Sequence, residues 1–287
     1  MELAVTNQVI VKRPKGRFRS RWYRTPSLVV GLVILGVIVG LALLAPVISR
    51  YDPNKQDIAH RLAGPSTSHW LGTDQLGRDV STRLLYGARI DLQVGVIAVL
   101  ISFAIGTVLG ALAGYFGRWV DTIVMRTVDV VRAFPALVLI IALAYVLGSG
   151  ISSIYIAIGI VDWSAYARIT RGEILVAKRR EYVLAAQTAG LSHIRIMGRH
   201  ILPNVITQSI VFAMSDIVLT MLAIVTLGYL GLGVPPPTPD WGAMIAEGQS
   251  FLSSRWQLST IPGLAVVVTG LGLALIGDGL ADLLRPE

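Results

Sequence analysis

Two carboxyl side chains, Asp162 and Asp216, stand inside or beside long apolar runs of this 287-residue chain. An unpaired charge in hydrocarbon is costly, so each must face protein or water. Either could line a polar pathway across a membrane, and pairing with a neighbouring arginine accounts for both equally well. Arg126, Asp129 and Arg132 fall at i, i+3 and i+6. On a helix they make a self-neutralising ladder or, more specifically, a gate at one end of a span. Bond-breaking chemistry finds little footing. The four histidines, His60, His69, His193 and His200, lie outside the apolar runs, and neither His193 nor His200 has the flanking Glu of a metalloprotease helix. No Gly-x-x-x-x-Gly-Lys-Ser/Thr string is present, so the chain cannot hydrolyse ATP on its own. Cysteine is absent, which removes disulfides and thiolate metal sites.

Docking is the stronger signal. Glu181-Tyr-Val-Leu-Ala-Ala-Gln-Thr-Ala-Gly190, followed at a distance by Ile201-Leu-Pro203, is a polar, basic insertion between apolar segments. Ala185, Ala186, Ala189 and Gly190 recur at helical spacing, so they predict a smooth stripe where a partner can approach the backbone closely. Gly190 suits a left-handed helix cap, Ser192 an N-cap, and Pro203 the first turn of the next helix. A second wet segment, His69-Trp-Leu-Gly-Thr-Asp74-Gln-Leu-Gly77-Arg78-Asp79-Val80, is dense in turn formers. There Arg78 can pair with Asp74 or Asp79, and the string serves either as a folded loop or as a docking surface for another protein.

The elements that must hold these groups are membrane helices. Hydrophobic residues make up 54% and charged residues 15% of the chain, with mean hydropathy +0.67, against about 25% charged in soluble domains. The solvent for most of the surface is lipid. Leu28 to Ile48 is an uncharged run long enough to span a bilayer and too long for a cleavable signal core. Leu92 to Gly117 is a second, with Gly106, Gly110 and Gly114 spaced for close helix packing. A third span is expected from near Val120 and a fourth from about Ile151 to Val176, separated by Gly148-Ser149-Gly150. A fifth follows from about Val205 to Leu230 and a sixth from about Leu258 to Ile276. The expected architecture is all-α and polytopic, with six transmembrane helices. It divides into a basic N-terminal arm (1–27), a first span (28–49), an extracytoplasmic segment (50–90) and a core (91–287) that carries the loop 178–203.

Charge orients it. The N-terminal arm has seven Lys or Arg (Lys12, Arg13, Lys15, Arg17, Arg19, Arg21, Arg24), and the stretch 163–204 has seven more against two acids. Both then face the cytoplasm, with both termini. Segment 50–90 lies outside, where Asp52, Asp57, Asp74 and Asp79 offset its basic residues. The net charge of +8 is thus membrane orientation and gives no sign of a nucleic-acid partner.

The Glu181–Pro203 pattern resembles the EAA loop of permease subunits of ABC importers. The string from His69 to Arg89 resembles the extracytoplasmic segment of one of the two permeases in dipeptide, oligopeptide and nickel importers. Further marks stand at Phe134-Pro135, Tyr166-Ala167-Arg168, Gly228-Tyr-Leu-Gly-Leu-Gly233, Pro239-Asp-Trp-Gly242 and Gly277-Asp-Gly-Leu280. The resemblance implies a type I ABC importer permease fold in a bacterial inner membrane. It also implies a homologous second permease, two cytoplasmic ATPase subunits that bind ATP and Mg, and an extracytoplasmic solute-binding protein, with no cofactor on this chain. In that scheme ATP-driven closure moves the coupling helices, Glu181 and the small residues up to Gly190 take the force, and a small peptide or related solute enters the opened cavity. One departure is that Ala223-Ile-Val-Thr226 supplies no acid before Leu230-Gly-Leu-Gly233, where relatives commonly have one. The competing class is an ion-coupled secondary transporter, which calls for inverted repeats and mid-membrane charges. No internal repeat is visible, and the charges crowd the span ends.

Overall fold

A computed structural model describes residues 25–284, and these are helical with no named strand. The basic arm from Lys12 to Arg24 lies outside the described residues. Helix α1 (Pro26–Ile48) starts with proline at its first turn, where the missing amide donor costs nothing. Helix α2 (Val80–Phe116) has 37 residues, about 55 Å at 1.5 Å per residue, well beyond a ~30 Å hydrocarbon core. It therefore begins twelve residues earlier than the apolar run suggests (80 against 92), inside segment 50–90. Asp79 explains the early start, because its side chain accepts the Thr82 amide and caps the first turn.

The expected third span is not one helix. Helix α3 (Arg118–Arg132) stops, and helix α4 (Ala136–Leu147) leaves at 89° to it. Pro135 is the reason: it disfavours helical backbone at the residue before it and offers no amide to continue the ladder. The expected charge ladder on α3 is also replaced. Asp129 pairs with Arg168 at 3.0 Å and Asp121 with Arg171, so the charges tie α3 to the next helix.

Helix α5 (Ile151–Ala177) matches the expected fourth span, after a turn in which Gly148 and Gly150 take positive φ. Next come α6 (Glu181–Thr188), the short α7 (His193–Arg195), a π-helical turn (Ile196–Ile201) and α8 (Leu202–Tyr229). Pro203 lies in the first turn of α8, as expected. The chain closes with α9 (Trp241–Gln249), α10 (Leu252–Arg255) and α11 (Gln257–Leu284). Among the described residues four helices, those containing α1, α2, α8 and α11, are apolar and long enough to span, and the bent α3–α4 pair makes a fifth if it crosses as one span. Six is reached by counting the 27-residue α5, whose C-terminal half carries Arg168, Arg171 and Glu173.

Packing centres on α2, which lies against α5 over much of its length and also touches α1 and α8, while α11 joins α1, α8 and α9. The Gly106–Gly110–Gly114 row does what its spacing predicts. A Cβ at Gly110 would sit 2.8 Å from the Ala167 Cα, and one at Gly114 would sit 3.0 Å from the Arg171 carbonyl oxygen. The helices meet backbone to backbone along this seam.

Candidate functional site

Asp162 on α5 and Asp216 on α8 line one cleft of about 320 Å³, floored by Leu137 and Ile140 of α4 and by Leu219 and Thr220 of α8. Neither aspartate forms an ion pair within 4 Å among the described residues, so the arginine-pairing explanation fails. Asp216 instead accepts a hydrogen bond on Oδ2 from the Tyr166 hydroxyl at 2.7 Å. Tyr166 is fully buried, wedged edge-on between Phe103 (5.6 Å) and Phe212 (5.1 Å), which leaves its hydroxyl one place to point. Below it the Thr170 and Ser209 hydroxyls bond at 2.9 Å and join α5 to α8. Arg132, at the end of α3, is the cation whose field reaches both aspartates. Sequence reasoning named Tyr166 only as a family mark and missed Thr220.

The string from His69 to Val80 folds inward. Asp74, Arg78 and Asp79 are 5%, 3% and 3% exposed, and Gly77 is buried. The sequence leaves this string open between a folded loop and a docking surface that would include these four. They form the interior of a folded loop, with their polar groups bonded within the chain. Arg78 Nε donates to Asp74 Oδ2 at 2.6 Å and Nη2 to Glu247 Oε2 on α9 at 2.7 Å, with the Arg83 Nε 3.6 Å from the same Asp74 oxygen. Asp74 Oδ1 accepts the amides of Leu76 and Arg78 at 2.9 Å. Burial opposes ionising Asp79. Hydrogen bonds from Ser81, the Thr82 amide and His69 outweigh it and hold the carboxyl below the usual carboxylate range. Glu247 has no local sequence signal; it lies 169 residues from Arg78 and is found only by folding. What this face offers a partner is the exposed Trp70, with Arg50 over its ring.

The end of α6 is built as the sequence predicts. Gly190 has φ +75°, its amide donates to the Gln187 carbonyl at 3.0 Å, and the Leu191 amide donates to the Ala186 carbonyl at 3.2 Å. That pair of bonds is the Schellman arrangement. Ser192 takes the N-cap position of α7, yet its side chain makes no capping bond. The small-residue stripe splits in two. Ala186 is buried with Val183, Ile196 and Ile201 against Ala111, Tyr115 and Ile174, and so faces its own chain. Glu181, Ala185, Ala189 and Gly190 are exposed, alongside the large apolar Tyr182, Leu184 and Ile194. The loop is also pinned to the end of α2: the Lys178 ammonium donates to the Tyr115 carbonyl at 2.5 Å, and the Tyr115 hydroxyl lies 2.8 Å from His193 Nδ1.

The glycine-rich marks meet each other. A Cβ on Gly242 would come within 3.0 Å of the Gly228 Cα, and the Trp241 amide donates to the buried Asp91 at 3.0 Å. They are close-packing contacts among α2, α8 and α9.

Residues 106–287 match the family model described as the binding-protein-dependent transport system inner membrane component, and residues 14–65 match the N-terminal transmembrane domain of oligopeptide transport permease C. The second match extends the likeness to residues that carry none of the motifs. A dipeptide transport system permease protein of Alkalihalophilus pseudofirmus is 39% identical over 90% of this chain and 85% of its own length. A glutathione transport system permease protein of Pectobacterium atrosepticum is 38% identical over 99% and 95%, and a probable D,D-dipeptide transport system permease protein of Escherichia coli is 39% identical over 92% and 88%. With a family match over most of its length and full-length relatives of this identity, the chain belongs to the binding-protein-dependent transport system inner membrane components, a family of membrane-embedded ABC transporter permeases.

Proposed function

We propose that this chain forms half of the translocation pathway of an ATP-driven importer for small peptides or a closely related solute. Its partners are a second, homologous permease, two cytoplasmic ATPase subunits that hold ATP and Mg, and an extracytoplasmic binding protein. Both termini and the loop 178–203 face the cytoplasm, and segment 50–90 faces outward. The peptide substrate rests on the dipeptide, D,D-dipeptide and glutathione systems named for the relatives.

The observation that carries the coupling role is the two-sided build of α6 and α7. One side, Val183, Ala186, Ile196 and Ile201, is locked to α2 and α5, while the other leaves Tyr182, Leu184, Ala185, Ala189, Gly190 and Ile194 uncovered on a wet, basic loop. An apolar patch at such a place is suited to a groove on a partner. The buried side then passes a displacement of that partner to the spanning helices as a rigid body. Glu181, exposed at the first turn of α6, is placed to pair with a basic group on the partner. Asp162 and Asp216 line the pathway.

Affinity purification of the tagged chain from its native membrane should recover an ATP-hydrolysing subunit and a second permease. The reconstituted assembly should take up small peptides only with ATP and the binding protein present. Uptake by this chain alone under an ion gradient would refute the proposal in favour of a secondary transporter.

A further inference from the structure

We propose that the cleft between α4, α5 and α8 is a transit site for a primary ammonium group, the charged amino terminus of a small peptide. The assignment rests on the importer reading above and names the chemistry that its pathway selects.

Three polar groups there lack partners. Asp162 makes no hydrogen bond or ion pair with another described residue. Asp216 uses one carboxylate oxygen for Tyr166 and leaves Oδ1 without a partner among the described residues. Thr220 lies one turn further along α8 and is 2% exposed, and its hydroxyl has no partner among the described residues. That last group, a buried polar side chain without a partner in the lining of the cleft, is an observation independent of the two carboxyls. A helical threonine ordinarily turns its hydroxyl to the carbonyl four residues back, as Thr226 does to Leu222 at 2.7 Å and Thr269 to Ala265 at 2.7 Å. Thr220 departs from that pattern, as Thr107 does on α2, and of the two it is Thr220 that lines the cleft.

The set is complementary to an ammonium ion, which brings three N–H donors and no acceptor. Two carboxyl groups and a hydroxyl oxygen, on two helices, supply three acceptors. The sign of charge agrees as well: the lining carries two acidic side chains and no basic one. A substrate carboxylate would meet repulsion here. Among the described residues no group of three His, Cys, Asp or Glu side chains is placed to hold a metal ion, so the cleft does not offer a metal site. The rest of the lining is apolar, and a volume of about 320 Å³ is at the small end of ligand sites, enough for a peptide terminus and its first side chain.

The test uses the whole assembly in proteoliposomes, with its binding protein and ATP, and compares uptake of radiolabelled alanyl-alanine with that of its N-acetyl form. The same binding protein serves every variant, so its own preference cancels in the comparison. In Asp162→Asn/Asp216→Asn, with the same amount of assembled complex, the ratio of free to acetylated peptide uptake should fall about ten-fold, the scale of a lost hydrogen bond to a charged group. Thr220→Val should move the ratio in the same direction by less, and Asp216→Glu should retain most of it. An unchanged ratio in the double variant overturns the assignment. So does an equal loss of both peptides, which is the mark of a merely structural role. Should the double variant fail to assemble, Thr220→Val and Asp216→Glu decide the matter by the same ratio. Wild-type proteoliposomes that hydrolyse ATP yet take up neither peptide would refute the peptide reading itself, and this site with it.

Discussion

Gly190 separates a structural cost from a coupling cost, because the space around it within the chain is open. Its φ of +75° is left-handed, and any Cβ there costs about 1–2 kcal/mol whatever the side chain beyond it. A Cβ at this position meets no atom within 4 Å, so leucine and alanine differ little inside the folded chain. The loop can absorb that cost. Val183 and Ile196 are 0% and 1% exposed, and burying each contributes about 1.5–3 kcal/mol, so their sum exceeds the backbone penalty. A larger effect of leucine than of alanine must therefore come from a partner packed on this surface, where overfilling costs about 1–3 kcal/mol, or up to roughly a hundred-fold in affinity. The assay is the amount of ATPase subunit that copurifies with each variant and the peptide transported per ATP hydrolysed. Gly190→Ala should keep most of both. Gly190→Leu should lose at least about five-fold, with the chain still inserted and paired with its second permease. Gly190→Asn relieves the backbone but adds bulk, so it should rank between them. Equal activity of the leucine and alanine variants would refute the contact, and a best result for asparagine would make backbone strain the whole effect.

Single cysteines at Thr73 and Ser192 in this cysteine-free chain should label from opposite sides of the membrane, and labelling from one side would remove the proposed topology. Arg78→Met leaves Asp74 buried with only Arg83, 3.6 Å away, to compensate; the segment 50–79 should loosen by about 3 kcal/mol and become cleavable by protease added outside. Unchanged protease resistance would show that the Arg78 network contributes little. Gly110→Leu drives a side chain into the Ala167 backbone and should sharply lower the yield of folded protein, whereas a normal yield and melting temperature would contradict the close α2–α5 seam.

Several features were legible because their physics is local. Apolar runs located most of the spans, since the length of hydrocarbon to be crossed sets the length of the run. The end of α6 at Gly190 and the start of α8 at Pro203 followed from backbone preferences that belong to single residues. The break between α3 and α4 was written in Pro135, yet a continuous apolar run concealed it, because hydropathy is blind to direction.

What the sequence determined by itself, then, is an all-helical membrane chain, where most of its spans lie and the shape of its wet loop, all properties of neighbours along the chain. Only the tertiary structure decided which distant groups meet. It brought Asp162, Asp216 and Thr220 to one cleft, turned Ala186 inward while leaving Ala185 and Ala189 outside, and matched Arg78 to Glu247 across the molecule. The physical reason is that helix packing decides which polar groups share an apolar setting, whether as partners, like Arg78 and Glu247, or as neighbours around a cleft, like Asp162 and Asp216. That placement depends on which small residues let α2 and α5 touch, and it cannot be read from the residues on either side of the charge.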